Sequence, residues 1–388
     1  MLIKKIKLEN MLSFGPNTAQ LEMNPLSVLI GPNGSGKSNL IEAIGLLQAA
    51  PRDLLAPINE GGGIEDWIWR GEQSASEAEV EVVVETQKAT QSLRYRLEIA
   101  KFGHRFQLNE EQIENENADD GHSEPYKFFE RHGRSSIINF RDGGKRNLCP
   151  EEIDSEQSIL AQRKDPDGYP ELTSLGEVLG RIRLYREWSF GRHMSPRVPQ
   201  KADLPNNFLS EDGKNLGLVL SSLKLNPKAK AQILESLRKL YDGISDFDVI
   251  TEGGTVQVFL QEGDIVVPAT RLSDGTLRYL CLLSILCHPQ PPPLVCIEEP
   301  ELGLHPDIIP TLGKLLREAS ERCQIVVTTH SDVLVDSLTD MPESVVVCEK
   351  HQGQTTMRRL EQSQLTDWLK KYSLGELWQR GELGGNRW

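Results

Sequence analysis

The 388-residue chain is most informative first in what it lacks. No apolar run approaches the roughly 20 residues that a membrane helix needs. The start, Met1-Leu2-Ile3-Lys4-Lys5-Ile6-Lys7-Leu8, alternates like a strand where a signal peptide would carry an apolar block. Both absences point to a cytoplasmic protein. The six cysteines form no C-x-x-C pair, and the eight histidines form no H-E-x-x-H, so a zinc hydrolase or a redox dithiol has no support. Buried thiols in a reducing compartment are the expected state. There is no internal repeat and no long heptad tract, which excludes a solenoid and a coiled-coil arm. Basic residues are outnumbered, 43 against 57 acidic, and the net charge of −14 weighs against indiscriminate coating of nucleic acid. A local basic groove is still open. Two stretches could supply one: Arg131, Arg134, Arg141, Lys145 and Arg146, and then Arg181, Arg183, Arg186, Arg192 and Arg197 with Tyr185 and Trp188 among them. Solvated surface is the alternative for both.

With 38% hydrophobic and 26% charged residues, the composition is that of a folded globular protein. Its most informative stretch is Gly31-Pro32-Asn33-Gly34-Ser35-Gly36-Lys37-Ser38, followed by Asn39, between an apolar run from Leu26 to Ile30 and a helical one reaching Gln48. This fills G-x-x-x-x-G-K-[ST] in a strand-loop-helix setting. Glycines let successive backbone N–H groups turn inward on a phosphate, and the helix N-terminus adds partial positive charge. Lys37 would neutralise the β- and γ-phosphates, and the Ser38 hydroxyl would ligate Mg²⁺. The pattern implies binding of a nucleoside triphosphate.

Periodicity organises the rest. Val80, Val82 and Val84 alternate with acids, and Leu93, Tyr95, Leu97 and Ile99 with charged residues, as in half-exposed antiparallel strands. The segment 109–170 is polar, with strand-like islands at Tyr126 to Phe129 and Ile137 to Phe140, and reads as loops and an insertion. From Glu171 to Asp242 the spacing becomes helical, a candidate lobe. β-type runs follow at Asp246 to Ile250, Thr255 to Leu260 and Asp264 to Val267, then a helix from Asp274 to Cys287. Leu294 to Ile297 and Gln324 to Thr329 are short, wholly apolar or β-branched runs, as expected of strands buried on both faces of a parallel sheet, joined by a crossover helix from Pro306 to Ser320. The division expected is 1–108 and 246–350 for two halves of one α/β core, 109–170 for the insertion, 171–245 for the helical lobe, and 351–388 for a tail. The tail's Trp368, Tyr372, Leu374, Leu377, Trp378 and Trp388 either pack on the chain's own core or anchor a partner.

Val295-Cys296-Ile297-Glu298-Glu299-Pro300 is an apolar strand ending in two carboxylates. Adjacent residues on a strand point to opposite sides, so Glu298 is assigned to the metal and Glu299 to the attacking water. The reverse assignment stays open. A guanine-reading N-K-x-D element is missing, with Gln200-Lys201-Ala202-Asp203 the nearest approach, which argues against a GTPase.

Four linked elements now carry a resemblance: the phosphate loop, Arg271-Leu272-Ser273-Asp274-Gly275-Thr276, Glu298-Glu299-Pro300-Glu301-Leu302-Gly303-Leu304-His305-Pro306, and Thr328-Thr329-His330-Ser331. They resemble the Walker A, signature, Walker B with D-loop, and switch-histidine motifs of ABC-class P-loop ATPases of the SMC/RecF/OLD-like branch, specifically the group called AAA_21. The resemblance implies an ATPase head with a mixed central sheet, an antiparallel β subdomain and an inserted helical lobe. It implies ATP and Mg²⁺ as ligands, and a homodimer in which two heads sandwich two nucleotides. Ser273 and Gly275 would then touch the γ-phosphate in trans and His330 in cis. It also implies a lid-coupling glutamine, for which Gln157 and Gln162 are the candidates. Relatives serve in DNA repair or antiphage defence, often with a TOPRIM-like nuclease, so an effector protein or nucleic acid is an expected partner. The signature departs from the Ser-Gly-Gly-Gln of transporters, and no membrane segment is present, which speaks against a transport subunit. An ATP-binding sensor or scaffold with little turnover is the other alternative.

Overall fold

The computed structural model describes residues 2–71, 75–86, 88–103, 105–140, 144–385. Arg141 and Trp388 therefore lie outside the described residues. A six-stranded central sheet runs in the order Arg183–Tyr185, Leu294–Glu298, Gln324–Thr328, Leu26–Ile30, Val345–His351, Gln354–Arg359. Its first five strands are parallel and the last closes a hairpin. The apolar runs are explained by what each face meets. Val28, Val295, Ile297, Ile325 and Val327 belong to one core with the helix Asp274–Leu286 and the helical lobe. Leu29, Leu294, Cys296, Val326 and Val346 belong to a second core with the helix Lys37–Ala49 and the antiparallel sheet. A strand that feeds two cores has no polar face to alternate. Ile309–Ser320 is the crossover between Leu294–Glu298 and Gln324–Thr328.

The second sheet has eight antiparallel strands, ordered Leu21–Glu22, Ile3–Glu9, Glu77–Val84, Leu93–Phe102, Arg105–Asn115, Lys127–His132, Ser135–Asn139, Lys145–Leu148. Much of the stretch expected to be loops and an insertion is thus sheet. Its core face is carried by single apolar residues such as Leu108, Ile113, Phe129 and Ile138, all 0% exposed, set among polar outward residues that dilute the period-2 signal. A buried network ties this sheet to the chain that follows. Glu111, wholly buried, accepts from Tyr95 OH (3.0 Å), Ser158 Oγ (2.5 Å) and Ile159 N (2.9 Å), with Arg131 Nη2 at 3.9 Å. Burial pushes its pKa up, and Arg131 is the largest opposing influence. Glu111→Ala strips three donors of their acceptor and leaves a buried guanidinium without its charge partner. Chemical denaturation is expected to show a loss of about 3–5 kcal/mol; a change below about 1 kcal/mol would mean that the network is not structural.

The stretch expected to be helical holds Pro170–Leu179, Leu216–Lys224 and Pro227–Leu240, but Arg183–Tyr185 between them is the edge strand of the central sheet. Three residues are too few for a periodic signal, and pairing with Val295, Cys296 and Ile297 is a long-range contact. A small sheet of Gln200–Lys201, Ile244–Glu252, Thr255–Glu262 and Ile265–Pro268 supports the two later helices. In the tail, Leu374, Leu377, Trp378 and Leu383 are buried in the first core, while Trp368 stays 43% exposed. No helix among the described residues is long and apolar enough to cross a membrane.

Candidate functional site

The phosphate loop joins Leu26–Ile30 to the helix Lys37–Ala49. Gly36, with φ of 95°, is the helix N-cap, and a Cβ there would lie 2.1 Å from Thr355 Oγ1. Glycine is required on both counts. Thr355 Oγ1 also lies 2.7 Å from Ser13 Oγ and 3.0 Å from the Ser35 carbonyl, and Asn39 Nδ2 donates to Ser13 Oγ (2.7 Å). The N-terminal loop and the C-terminal hairpin therefore brace the turn from behind. Lys37 Nζ spans it, donating to the carbonyls of Gly31 (2.8 Å) and Pro32 (3.0 Å), and burial lowers its pKa. Asn33 and Gly34 are exposed. Ser35 Oγ is buried inside the turn, with no hydrogen-bond partner among the described residues.

The two acids part at the end of Leu294–Glu298. Ser38 Oγ donates to Glu298 Oε2 (3.1 Å), and Arg186 Nε to Glu298 Oε1 (2.9 Å). Glu299 has φ of 44°, a left-handed conformation held by its N–H to the Thr328 carbonyl (3.0 Å) and by Arg278 Nη1 to its own carbonyl (3.3 Å). Strain of this kind in a non-glycine residue persists only when its surroundings over-determine it. The turn brings Glu299 Oε1 to 3.6 Å from His330 Nε2. Burial, then Lys37, lowers the His330 pKa from its ordinary value, with Glu299 and Glu301 opposing. Glu301 fixes the turn carrying it, accepting from Thr329 Oγ1 (2.5 Å) and His330 N (3.0 Å). Ser38 and Glu298 are adjacent hard oxygen donors, and among the described residues no group of three His, Cys, Asp or Glu is arranged for a metal. That fits Mg²⁺, which typically takes one or two protein oxygens and completes its shell with phosphate and water.

The signature motif lies elsewhere. Ser273 Oγ caps the helix Asp274–Leu286, accepting from Thr276 N (3.1 Å). With Gly275, Gly303, Leu304 and His305 it lines an open cleft of about 430 Å³. A Cβ on Gly275 would meet the Gly303 carbonyl at 2.5 Å, so the signature and the D-loop are in close contact. Among the described residues, no hydrogen bond or ion pair joins Ser273 or Gly275 to the phosphate loop of the same chain. A cleft of about 920 Å³ runs beside the helix Lys37–Ala49, lined by Glu42, Asp53 and Glu211 among others, and includes neither Lys37 nor Glu299.

Several sequence expectations need correction. Gln157 bonds Leu54 N and Asp53 Oδ1, beyond the C-terminal end of the helix that starts at Lys37, on the order of 20 Å from its start. Gln162 bonds the Asp154 amide and the carbonyls of Asp154, Gln157 and Ser158. Neither reaches the acids; the side chain that does so from the lobe junction is Arg186. Three arginines of the basic stretches have partners within the chain. Arg131 is spent on Glu111 and the Gln157 carbonyl, Arg146 on Glu152, and Arg197 on the Phe190 and Leu272 carbonyls and Asp274. Arg186, Arg197, Arg278 and Thr355 carry the site's geometry without any motif to mark those roles, and Glu301 lies inside the acidic motif but is given no role by it. The strand Arg183–Tyr185 before Arg186 ends beside the acids.

The profile of AAA_21, described as "AAA domain, putative AbiEii toxin, Type IV TA system", matches residues 26–336. No curated protein matches the sequence. Among solved structures, an Smc head bound to the C-terminal winged-helix domain of ScpA superposes with a TM-score of 0.59 at 17% identity, covering 94% of this chain and 99% of that one. An Smc head with an extended coiled coil, bound to the C-terminal domain of ScpA and derived from Pyrococcus furiosus, gives 0.58 at 16% identity over 95% and 99%. One with a coiled coil and joint from Pyrococcus yayanosii gives 0.54 at 13% over 95% and 99%. At these identities the likeness is one of fold. The family match spans most of the chain and includes the phosphate loop, signature, acids and switch histidine: the chain belongs to the AAA_21 family and is a P-loop ATPase with the fold of an SMC head.

Proposed function

We propose that the chain is an ATP hydrolase that works as a dimerising switch, each active site being completed by the signature motif of a second copy. The observation that carries this reading is the division of the site. Lys37, Ser38, Glu298, Glu299 and His330 converge in one place, while Ser273 and Gly275 line a separate open cleft. Gly31 through Asn39 cradle the triphosphate, with Lys37 on its β- and γ-oxygens. Ser38 and Glu298 would hold Mg²⁺, which would offset charge on the same phosphates. Glu299 orients and deprotonates the attacking water, and His330 lies beside it at the γ-phosphate. Ser273 and Gly275 of the second copy present a hydroxyl and the N-terminus of an apolar helix to that phosphate. Hydrolysis removes the bridging group, and the heads part.

The work done by this movement belongs to a partner. Two of the SMC-head structures were solved with a domain of ScpA, and by analogy an effector protein, such as a TOPRIM-like nuclease in DNA repair or antiphage defence, is the reading favoured for this chain.

Complementation tests the shared site. Lys37→Ala and Ser273→Arg proteins are each expected to be inactive. An equal mixture should recover about a quarter of wild-type turnover, since half the dimers would be mixed and each would keep one of two sites. Activity in the Ser273→Arg protein alone, or none in the mixture, would refute completion in trans.

A further inference from the structure

We propose that Arg186 is a positioning residue: it latches the segment 186–197 to the metal-site carboxylate, so that the state of Glu298 is transmitted to the signature motif. The inference rests on the site assignment above. Arg186 follows the last residue of the edge strand Arg183–Tyr185, where the chain leaves the central sheet for the lobe. Its Nε lies 2.9 Å from Glu298 Oε1 and its Nη2 3.6 Å from Glu42 Oε2. Glu298 is therefore gripped on both oxygens, by Arg186 on one and Ser38 on the other.

From that grip the segment runs to the signature. The Trp188 and Phe190 rings meet edge to face at 6.0 Å, and the Arg278 guanidinium lies 5.4 Å from the first centroid and 5.7 Å from the second. Arg278 stands in the helix that Ser273 caps, and it reaches back to the Glu299 carbonyl. At the far end of the segment, Arg197 donates to the Phe190 carbonyl (2.9 Å) and the Leu272 carbonyl (2.5 Å) and pairs with Asp274. The contacts close a circuit: Glu298, Arg186, the two rings, Arg278, Glu299.

A guanidinium at this position has consequences that a glutamine would not. It is permanently charged and has no lone pair for a cation, so it competes with Mg²⁺ for Glu298 where an amide oxygen could join the metal. A cation approaching Ser38 and Glu298 weakens the Arg186 grip, and the segment that holds Leu272 and Asp274 is loosened at its other end. The latch thus favours one placement of the signature loop before Mg²⁺ and nucleotide arrive and releases it afterwards.

The test uses the full chain with a fluorescent ATP analogue and a Mg²⁺ titration, reading binding and, separately, the intrinsic fluorescence that Trp188→Phe removes. Arg186→Ala is expected to lower the Mg²⁺ midpoint about three- to fivefold, the scale of a partly exposed ion pair, and to abolish the Trp188-dependent change. Arg186→Lys, which keeps the charge and loses the fork, should lie between. An Arg186→Ala protein that binds nucleotide with the wild-type midpoint and the wild-type Trp188 response overturns the latch and leaves the ATP site standing. Wild-type protein that fails to bind the analogue, or binds it without regard to Mg²⁺, overturns the site assignment and the latch with it.

Discussion

Lys37→Ala protein is expected to lose ATP hydrolysis by about 10²–10³-fold, the scale of removing one preorganised group that stabilises developing charge. The expectation comes from what the lysine does within the loop. Its Nζ is buried beneath the turn and donates to the Gly31 and Pro32 carbonyls, so it both holds the loop in shape and stands ready for phosphate. Alanine removes the charge and leaves two carbonyl oxygens without that donor. Nucleotide binding should weaken together with turnover, because the lysine contacts the ground state as well as the transition state. Phosphate release and equilibrium binding measured on the same preparations check both parts. Hydrolysis equal to wild type would defeat the whole site assignment.

Glu299→Gln is expected to behave differently. Turnover should fall about 10²–10⁴-fold, the range of a positioned general base, while nucleotide binding is kept, since Ser38, Glu298 and Lys37 are unchanged. The amide is nearly isosteric and keeps the left-handed turn, whose N–H and carbonyl are held by Thr328 and Arg278 through the backbone. A variant that lost binding as well as turnover would show that Glu299 holds the metal, reversing its assignment with Glu298. Rapid-quench turnover with a parallel binding titration separates the two.

The parts of this site that could be read from the sequence are those whose chemistry demands contiguous residues. A loop that wraps a phosphate needs its glycines, lysine and serine in a row, and a strand that feeds two cores must be apolar through its interior, as in Leu294 to Ile297 and Ile325 to Val327. Ser38 and Glu298 are 260 positions apart, yet each announced itself through its own motif. The unannounced residues act through distant partners. Thr355 braces a loop near Ser13, 342 positions away, and Arg197 holds Asp274 across 77, each looking locally like an ordinary strand or surface residue. Arg186 was legible as a charge in a basic stretch, and its meaning appeared only when the short strand before it paired with Val295 to Ile297. The antiparallel sheet was half legible for a related reason. Val80 to Val84 alternate cleanly, whereas beyond Asn109 the core positions are isolated among polar residues on a solvated face.

The central claim, that ATP joins two copies and hydrolysis parts them, is tested most directly by light scattering on wild-type and Glu299→Gln protein with and without Mg²⁺-ATP. The account predicts a stable dimer in Glu299→Gln protein only when ATP is present, with wild type returning to its nucleotide-free mass as ATP is consumed. One unchanged mass for both proteins in every condition would contradict it, and the nucleotide site would then regulate a scaffold whose assembly does not depend on ATP.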